Sequence, residues 1–143
     1  MTIRRFQQGF SLVTAIFLLV VLAGLGATMM TFFTAQQQSV LLDELGARAY
    51  QASRAGIEWG AYQVVQNSGV GFASACQAGP ASQVLPALGG TLADFPVSVS
   101  CSATSAVESA ATLWVYRLTS TATRGAAGSA DFVERQMQAT IAQ

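Results

Sequence analysis

Two cysteines and seven carboxylates are the reactive side chains this sequence offers, and it contains neither histidine nor lysine. No histidine or lysine is therefore present to activate one of its many serines and threonines, and a cysteine nucleophile lacks its usual base. The acids Asp43, Glu44, Glu58, Asp94, Glu108, Asp131 and Glu134 form no cluster with metal-ligand spacing such as an EF-hand loop. No phosphate-binding glycine loop follows a strand pattern, and Gly24-Leu25-Gly26 falls inside an apolar run. The chain is therefore read as a non-enzyme, with no cofactor, no metal and no catalytic residue. Seven arginines balance the seven acids, and a net charge of zero gives no electrostatic footprint for nucleic acid.

What remains is the chemistry of the cysteines, and that depends on the compartment. Phe10 to Phe33 is a run of 24 residues without a charge. As a helix it spans about 36 Å at ~1.5 Å per residue, enough for a hydrocarbon core of about 30 Å. Arg4 and Arg5 precede it, and the next charges are Asp43 and Glu44. Basic flanks stay in the cytoplasm, so residues 1–9 are placed inside and everything after about Thr34 outside. Cys76 and Cys101 then lie in an oxidising space, where an even cysteine count reads as one disulfide.

The outer part opens as a helix. No proline occurs before Pro80, so nothing breaks the helical pattern up to about Gln66. Leu41, Leu45, Ala49, Ala52, Gly56, Trp59 and Gln63 step by four and three and mark the face expected to meet a sheet. Its middle is small, and Trp59 and Tyr62 are expected to fill the far end. Glu44 with Arg48, and Arg54 with Glu58, are i,i+4 pairs on the solvated side. Asn67, Ser68, Gly69 and Gly71 end the helix, and residues 67–94 read as a connecting loop.

Strand patterns follow. Phe95, Val97, Val99 and Cys101 alternate with polar residues. Thr112–Thr123 is dense in β-branched and aromatic residues, and Asp131–Ile141 alternates again after a turn at Gly125–Ser129. The fold class is α+β: a long N-terminal helix packed on a C-terminal antiparallel sheet of about three to four strands.

Two stretches carry a resemblance. Gln8-Gly9-Phe10-Ser11-Leu12, after a short arginine-containing leader, resembles the class III signal of type IV pilins and type II secretion pseudopilins. Arg48-Ala49-Tyr50-Gln51-Ala52-Ser53-Arg54-Ala55-Gly56-Ile57-Glu58-Trp59-Gly60 is similar to a run in minor pilins of the mannose-sensitive haemagglutinin (MSHA) biogenesis family, the MshP-like proteins. PilX-type minor pilins and type II secretion pseudopilin K share a looser version. The resemblance covers about residues 7–66 and, more loosely, the last strands.

It implies a pilin-like fold with three parts: a leader at 1–9, a transmembrane and polymerisation helix at 10–33, and a periplasmic domain at 34–143. That domain comprises helix to about 66, loop 67–94 and sheet 95–141. A prepilin peptidase would cut between Gly9 and Phe10, and the new Phe10 amine would be methylated. Most members carry Glu at the fifth mature position, which is Thr14 here. The family's Glu pairs with a neighbouring subunit's amine; Thr cannot, which points to a tip-proximal minor subunit. Thr14, Arg54, Glu58 and Trp59 are the candidate subunit contacts. Implied partners are other major and minor pilins, the peptidase and the inner-membrane assembly platform. The function implied is assistance in assembling or priming an MSHA-type pilus. Two alternatives stand beside it: a type II secretion pseudopilin, and a membrane-anchored adhesive module binding through loop 67–94.

Overall fold

The structure is a computed structural model that describes residues 12–109 and 111–143. Its first element, helix α1, runs Leu12–Gln66 over 55 residues. The chain divides after Val40 into two compact units.

In the first unit the segment Leu12–Met30 is helix throughout, long and apolar enough to cross a membrane, and none of it is buried within the protein. A helix satisfies every interior backbone group within itself, which is what hydrocarbon demands. The Thr28 hydroxyl returns a hydrogen bond to the Leu25 carbonyl at 2.9 Å, so its polarity is also met locally. A side chain added at Gly24 or Gly26 would meet nothing within 4 Å. These glycines leave shallow, open stretches on the helix surface.

The second unit holds the rest of α1, helix α2 (Gly71–Ala78) and four strands: β1 (Ala81–Val84), β2 (Val97–Glu108), β3 (Ala111–Arg124) and β4 (Val133–Ala142). The sheet is an antiparallel meander in the order β1-β2-β3-β4. The register sets Ala81 opposite Cys101, Cys101 opposite Leu118, and Leu118 opposite Ala139. With a side-chain period of two, Val97, Val99 and Cys101 of β2 and Tyr116, Leu118, Ser120 and Ala122 of β3 share the buried face. The fold is thus α+β, with one apolar helix, a further helix and four antiparallel strands.

The buried face of α1 is small-residue in its middle, Gly46, Ala49, Ala52, Ser53, Gly56 and Gly60, with Leu45 and Val64 at its ends. The expected stripe holds through Gly56 at all but its first member, Leu41, which is 51% exposed. Beyond Gly56 it continues at Gly60 and Val64 rather than Trp59 and Gln63, because two glycines let the backbone itself face the sheet. A Cβ on Gly60 would lie 3.3 Å from Leu118 and Val99 side-chain atoms. A Cβ on Gly56 would sit 2.2 Å from the Ser120 Oγ and 2.7 Å from Val97 Cγ1. Trp59 is turned to the flank, where its ring packs at 5.0 Å on Phe72 of α2. Tyr62 is 59% exposed and fills no core.

The segment 67–94 departs most from expectation. Instead of a plain loop it contains α2, β1 and a 3-10 turn at Gly90–Leu92. Helix α2 buries Phe72, Ala73 and Cys76, which lie on one face. Eight residues are too few for an independent helix in water, so this one is held by Trp59 packing, by the cysteine pair and by Gln77, which donates to the buried Tyr116 hydroxyl.

The Gly56–Ser120 approach makes a quantitative case. Alanine at 56 gains about 1 kcal/mol of helix propensity, but overpacking a tight core costs about 1–3 kcal/mol. With overlaps this deep, Gly56→Ala should lower stability in a denaturant titration. The Ser120 Oγ is buried without a hydrogen-bond partner. Ser120→Ala should therefore be neutral or stabilising by about 1 kcal/mol, and should rescue part of the Gly56→Ala loss in a double-mutant cycle.

Candidate functional site

Four residues on the exposed side of α1 form a ridge: Tyr50, Arg54, Glu58 and Tyr62. Each is four positions from the next, so they lie one above another on one helix face. The Arg54 Nε donates to Glu58 Oε1 at 2.9 Å, and both side chains are 65% exposed. An exposed pair of this kind is worth about 0.2–1 kcal/mol, too little to explain the ridge as a device for stability. Tyr50 and Tyr62 are 50% and 59% exposed at its two ends. Val65 adds apolar surface one turn on. Tyrosine and arginine are enriched where protein surfaces meet, because each offers a large contact area with a polar tip.

The sequence-derived contact residues are only partly brought together. Arg54 and Glu58 share the ridge, whereas Trp59 lies against α2 with a structural part to play. Thr14 is exposed on the apolar helix of the first unit. Gly9 and Phe10 lie outside the described residues. Tyr50 and Tyr62 were missed as surface residues. The signal was available, because the i,i+4 pair Arg54–Glu58 already marked the solvated face and both tyrosines continue its spacing.

Cys76 of α2 and Cys101 of β2 form a disulfide with Cα atoms 5.7 Å apart. Both are buried. The bond fastens the end of α2 to the centre of the sheet, one strand from Ala81, whose partner in the ladder is Cys101 itself. A buried, structural bridge of this kind is not a redox-active one by position.

Among the described residues no group of three or more His, Cys, Asp or Glu is placed to hold a metal ion. One carboxyl is displaced from its ordinary range. Asp131, beside the turn between β3 and β4, is held lower by the Ser129 hydroxyl first, then by a backbone N–H and by the Arg124 charge. It is fully exposed and belongs to the turn, so its charge serves local structure.

No family model, no curated protein and no solved structure matches this chain. The functional reading therefore rests on the residues and their geometry.

The disulfide closes a loop of 25 residues, for which chain entropy gives about 3.5 kcal/mol of stabilisation. Reduction, or the Cys76→Ser/Cys101→Ser pair, should shift the chemical unfolding midpoint of the second unit by an amount of that order. Protection of α2 amides from hydrogen exchange should be lost first, since that short helix depends on the bridge.

Proposed function

We propose that the chain is a minor, pilin-like structural subunit that assists assembly or priming of an MSHA-type type IV pilus, close to its tip. In this reading the apolar half of α1 anchors the subunit in the bacterial inner membrane, with the N-terminus cytoplasmic and the sheet-bearing unit periplasmic. Prepilin peptidase removes residues 1–9 between Gly9 and Phe10, and Phe10 is methylated. The freed helix then passes from lipid into a bundle of other pilin helices. That step exchanges one apolar surrounding for another, so fit between helices governs it rather than hydrophobic transfer.

One observation carries the reading. A single 55-residue helix serves two environments, with an unburied apolar segment at one end and a small-residue face beneath a sheet at the other. An anchor whose only task is to hold a domain at the membrane has no need of a helix continued into that domain's core. A subunit that must transmit packing from a helical bundle to a head does. The cleavage motif at Gly9-Phe10 and the Arg48–Gly60 run support the same reading from the sequence. Thr14 supports a tip position: an uncharged residue is far cheaper to hold in lipid than the carboxylate usual there, and a subunit with none above it has no amine to address. The Tyr50–Tyr62 ridge supplies a lateral surface for another pilin.

Two measurements bear on this. Gly9→Val should arrest processing, because a branched side chain obstructs an extended backbone in a protease site. Mass spectrometry of the mature protein should find methylated Phe10 as the first residue in the wild type and the intact leader in the variant. A normally processed variant refutes the peptidase step. The double substitution Tyr50→Ala/Tyr62→Ala should leave the unfolding midpoint within about 0.5 kcal/mol. It should also reduce recovery of the protein with fibres about tenfold if either ring is a central contact. Unchanged recovery removes the ridge from the interface.

A further inference from the structure

The face of the sheet turned away from α1 carries a second surface. Its ladder positions are polar and nearly all uncharged: Ser82, Ser100, Thr119 and Gln138 form one row across four strands, and Ser102, Arg117 and Thr140 form the next. Arg117 is exposed there and makes no hydrogen bond or ion pair among the described residues. The other cations of this unit are engaged differently. Arg48 and Arg54 have carboxylate partners on α1, Arg124 stands 5.8 Å over the Phe95 ring, and Arg135, opposite buried Ala122 on the other face of the sheet, reaches Gly46 of α1. The nearest acids on the same face are Glu134, opposite Thr123, and Glu108, opposite Ala111. Each is six residues from the Arg117 row along its strand, about 20 Å at ~3.4 Å per residue. That is beyond the screening length of physiological salt, about 8 Å.

Two grooves share this guanidinium. The larger, about 430 Å³, is bounded by Pro80, Ser82, Ser100, Ser102 and Thr119. The smaller, about 200 Å³, is bounded by Ser102, Thr104, Val115 and Thr140. We propose that Arg117 and the hydroxyls of these grooves bind an acidic saccharide, a sugar unit bearing one carboxylate. A guanidinium offers a fork of donors that matches a carboxylate with two parallel hydrogen bonds. Serine and threonine hydroxyls both donate and accept, as sugar hydroxyls require of their partners. The aromatic residues of β3, Trp114 and Tyr116, lie on the parity of the opposite face, next to buried Leu118. No ring is available here to stack on a neutral sugar, so the charge must supply the selectivity. A polyphosphate chain would need a row of cations, and this face has one.

The test uses the full chain in detergent micelles, titrated calorimetrically with trigalacturonate and with neutral galactotriose. The acidic trisaccharide should bind about tenfold or more tightly than the neutral one, and the difference should shrink as salt screens the charge. Arg117→Gln should abolish that preference, and Ser102→Val should weaken binding while leaving the preference for acid. Both positions are exposed, so the unfolding midpoint should stay in place. Equal affinity for the two sugars, or unaltered binding by Arg117→Gln, overturns the proposal. So does acetate competing at the same concentration as trigalacturonate, since the hydroxyl grooves would then contribute nothing. Failure of trigalacturonate where a peptide with a free C-terminal carboxylate binds would make this a protein-docking face and overturns it equally. Leader cleavage and fibre assembly read the reading above independently, and Arg117→Gln should alter neither.

Discussion

Everything in the second unit depends on how closely the backbone of α1 approaches the sheet. Between Ala49 and Gly60 the helix presents alanine, serine and glycine, and β2 and β3 answer with Val97, Val99, Leu118 and Ser120. The contact is a thin one. On the helix side bulk appears only at the margins, in Leu45 and Val64. A thin contact buries little apolar area per residue, and area sets the hydrophobic gain, about 25 cal/mol per Å². It gains instead from dense dispersion contact, which a single added methyl disrupts. The orphaned Ser120 hydroxyl follows from the same constraint: a side chain small enough to sit under Gly56 has no room for a partner. A buried hydroxyl left unpaired costs free energy, so the close approach is preserved at the expense of stability.

A small unit built on so thin a core gains from a covalent link, and the position of the disulfide is telling. It joins α2 to the middle strand of the buried face, not one loop to another. Helix α2 extends the core sideways, beyond the strip that α1 covers. Trp59 and Phe72 close the seam between the two helices, and Gln77 satisfies the Tyr116 hydroxyl that would otherwise be buried unpaired. The three contacts act on one eight-residue element. Loss of any of them exposes the same edge of the core.

The legibility of the chain follows from these forces. The long apolar run and the strand alternation are dominated by solvent, and solvent writes a regular period into sequence. Helix α1 and strands β2, β3 and β4 were therefore visible, the strands to within a few residues except at the far end of β2, which runs on to Glu108. Helix α2 and strand β1 were hidden because their residues, Gly71-Phe72-Ala73-Ser74 and Ala81-Ser82-Gln83-Val84, have no strong local preference. Tertiary contact decides them. The stripe on α1 slipped after Gly56 for a related reason. A hydrophobic pattern favours Trp59 over Gly60, yet the tightest contact is made by the residue with no side chain. The Tyr50–Tyr62 ridge was half visible, through its ion pair. The exposed face of the sheet was legible as polar, but which hydroxyls surround Arg117 depends on register, and no feature of the strands taken singly reveals it.

The two exposed surfaces of the second unit are chemically unlike, and they lie on opposite sides of its core. The α1 ridge offers two phenols and a paired arginine and glutamate, a surface that loses water at less electrostatic cost than an unpaired charge would, because each charge keeps its partner. The outer sheet face offers an array of hydroxyls around an unmatched cation, a surface that stays hydrated until an anion arrives. The first suits lasting contact with protein, where desolvation is permanent. The second suits reversible contact with a solvated ligand, where each hydroxyl exchanges one water partner for another. Since the helix and the sheet back onto the same thin core, a contact made at the helix ridge leaves the far face of the sheet open. The two proposed contacts, one with protein and one with a saccharide, therefore need not compete for one surface.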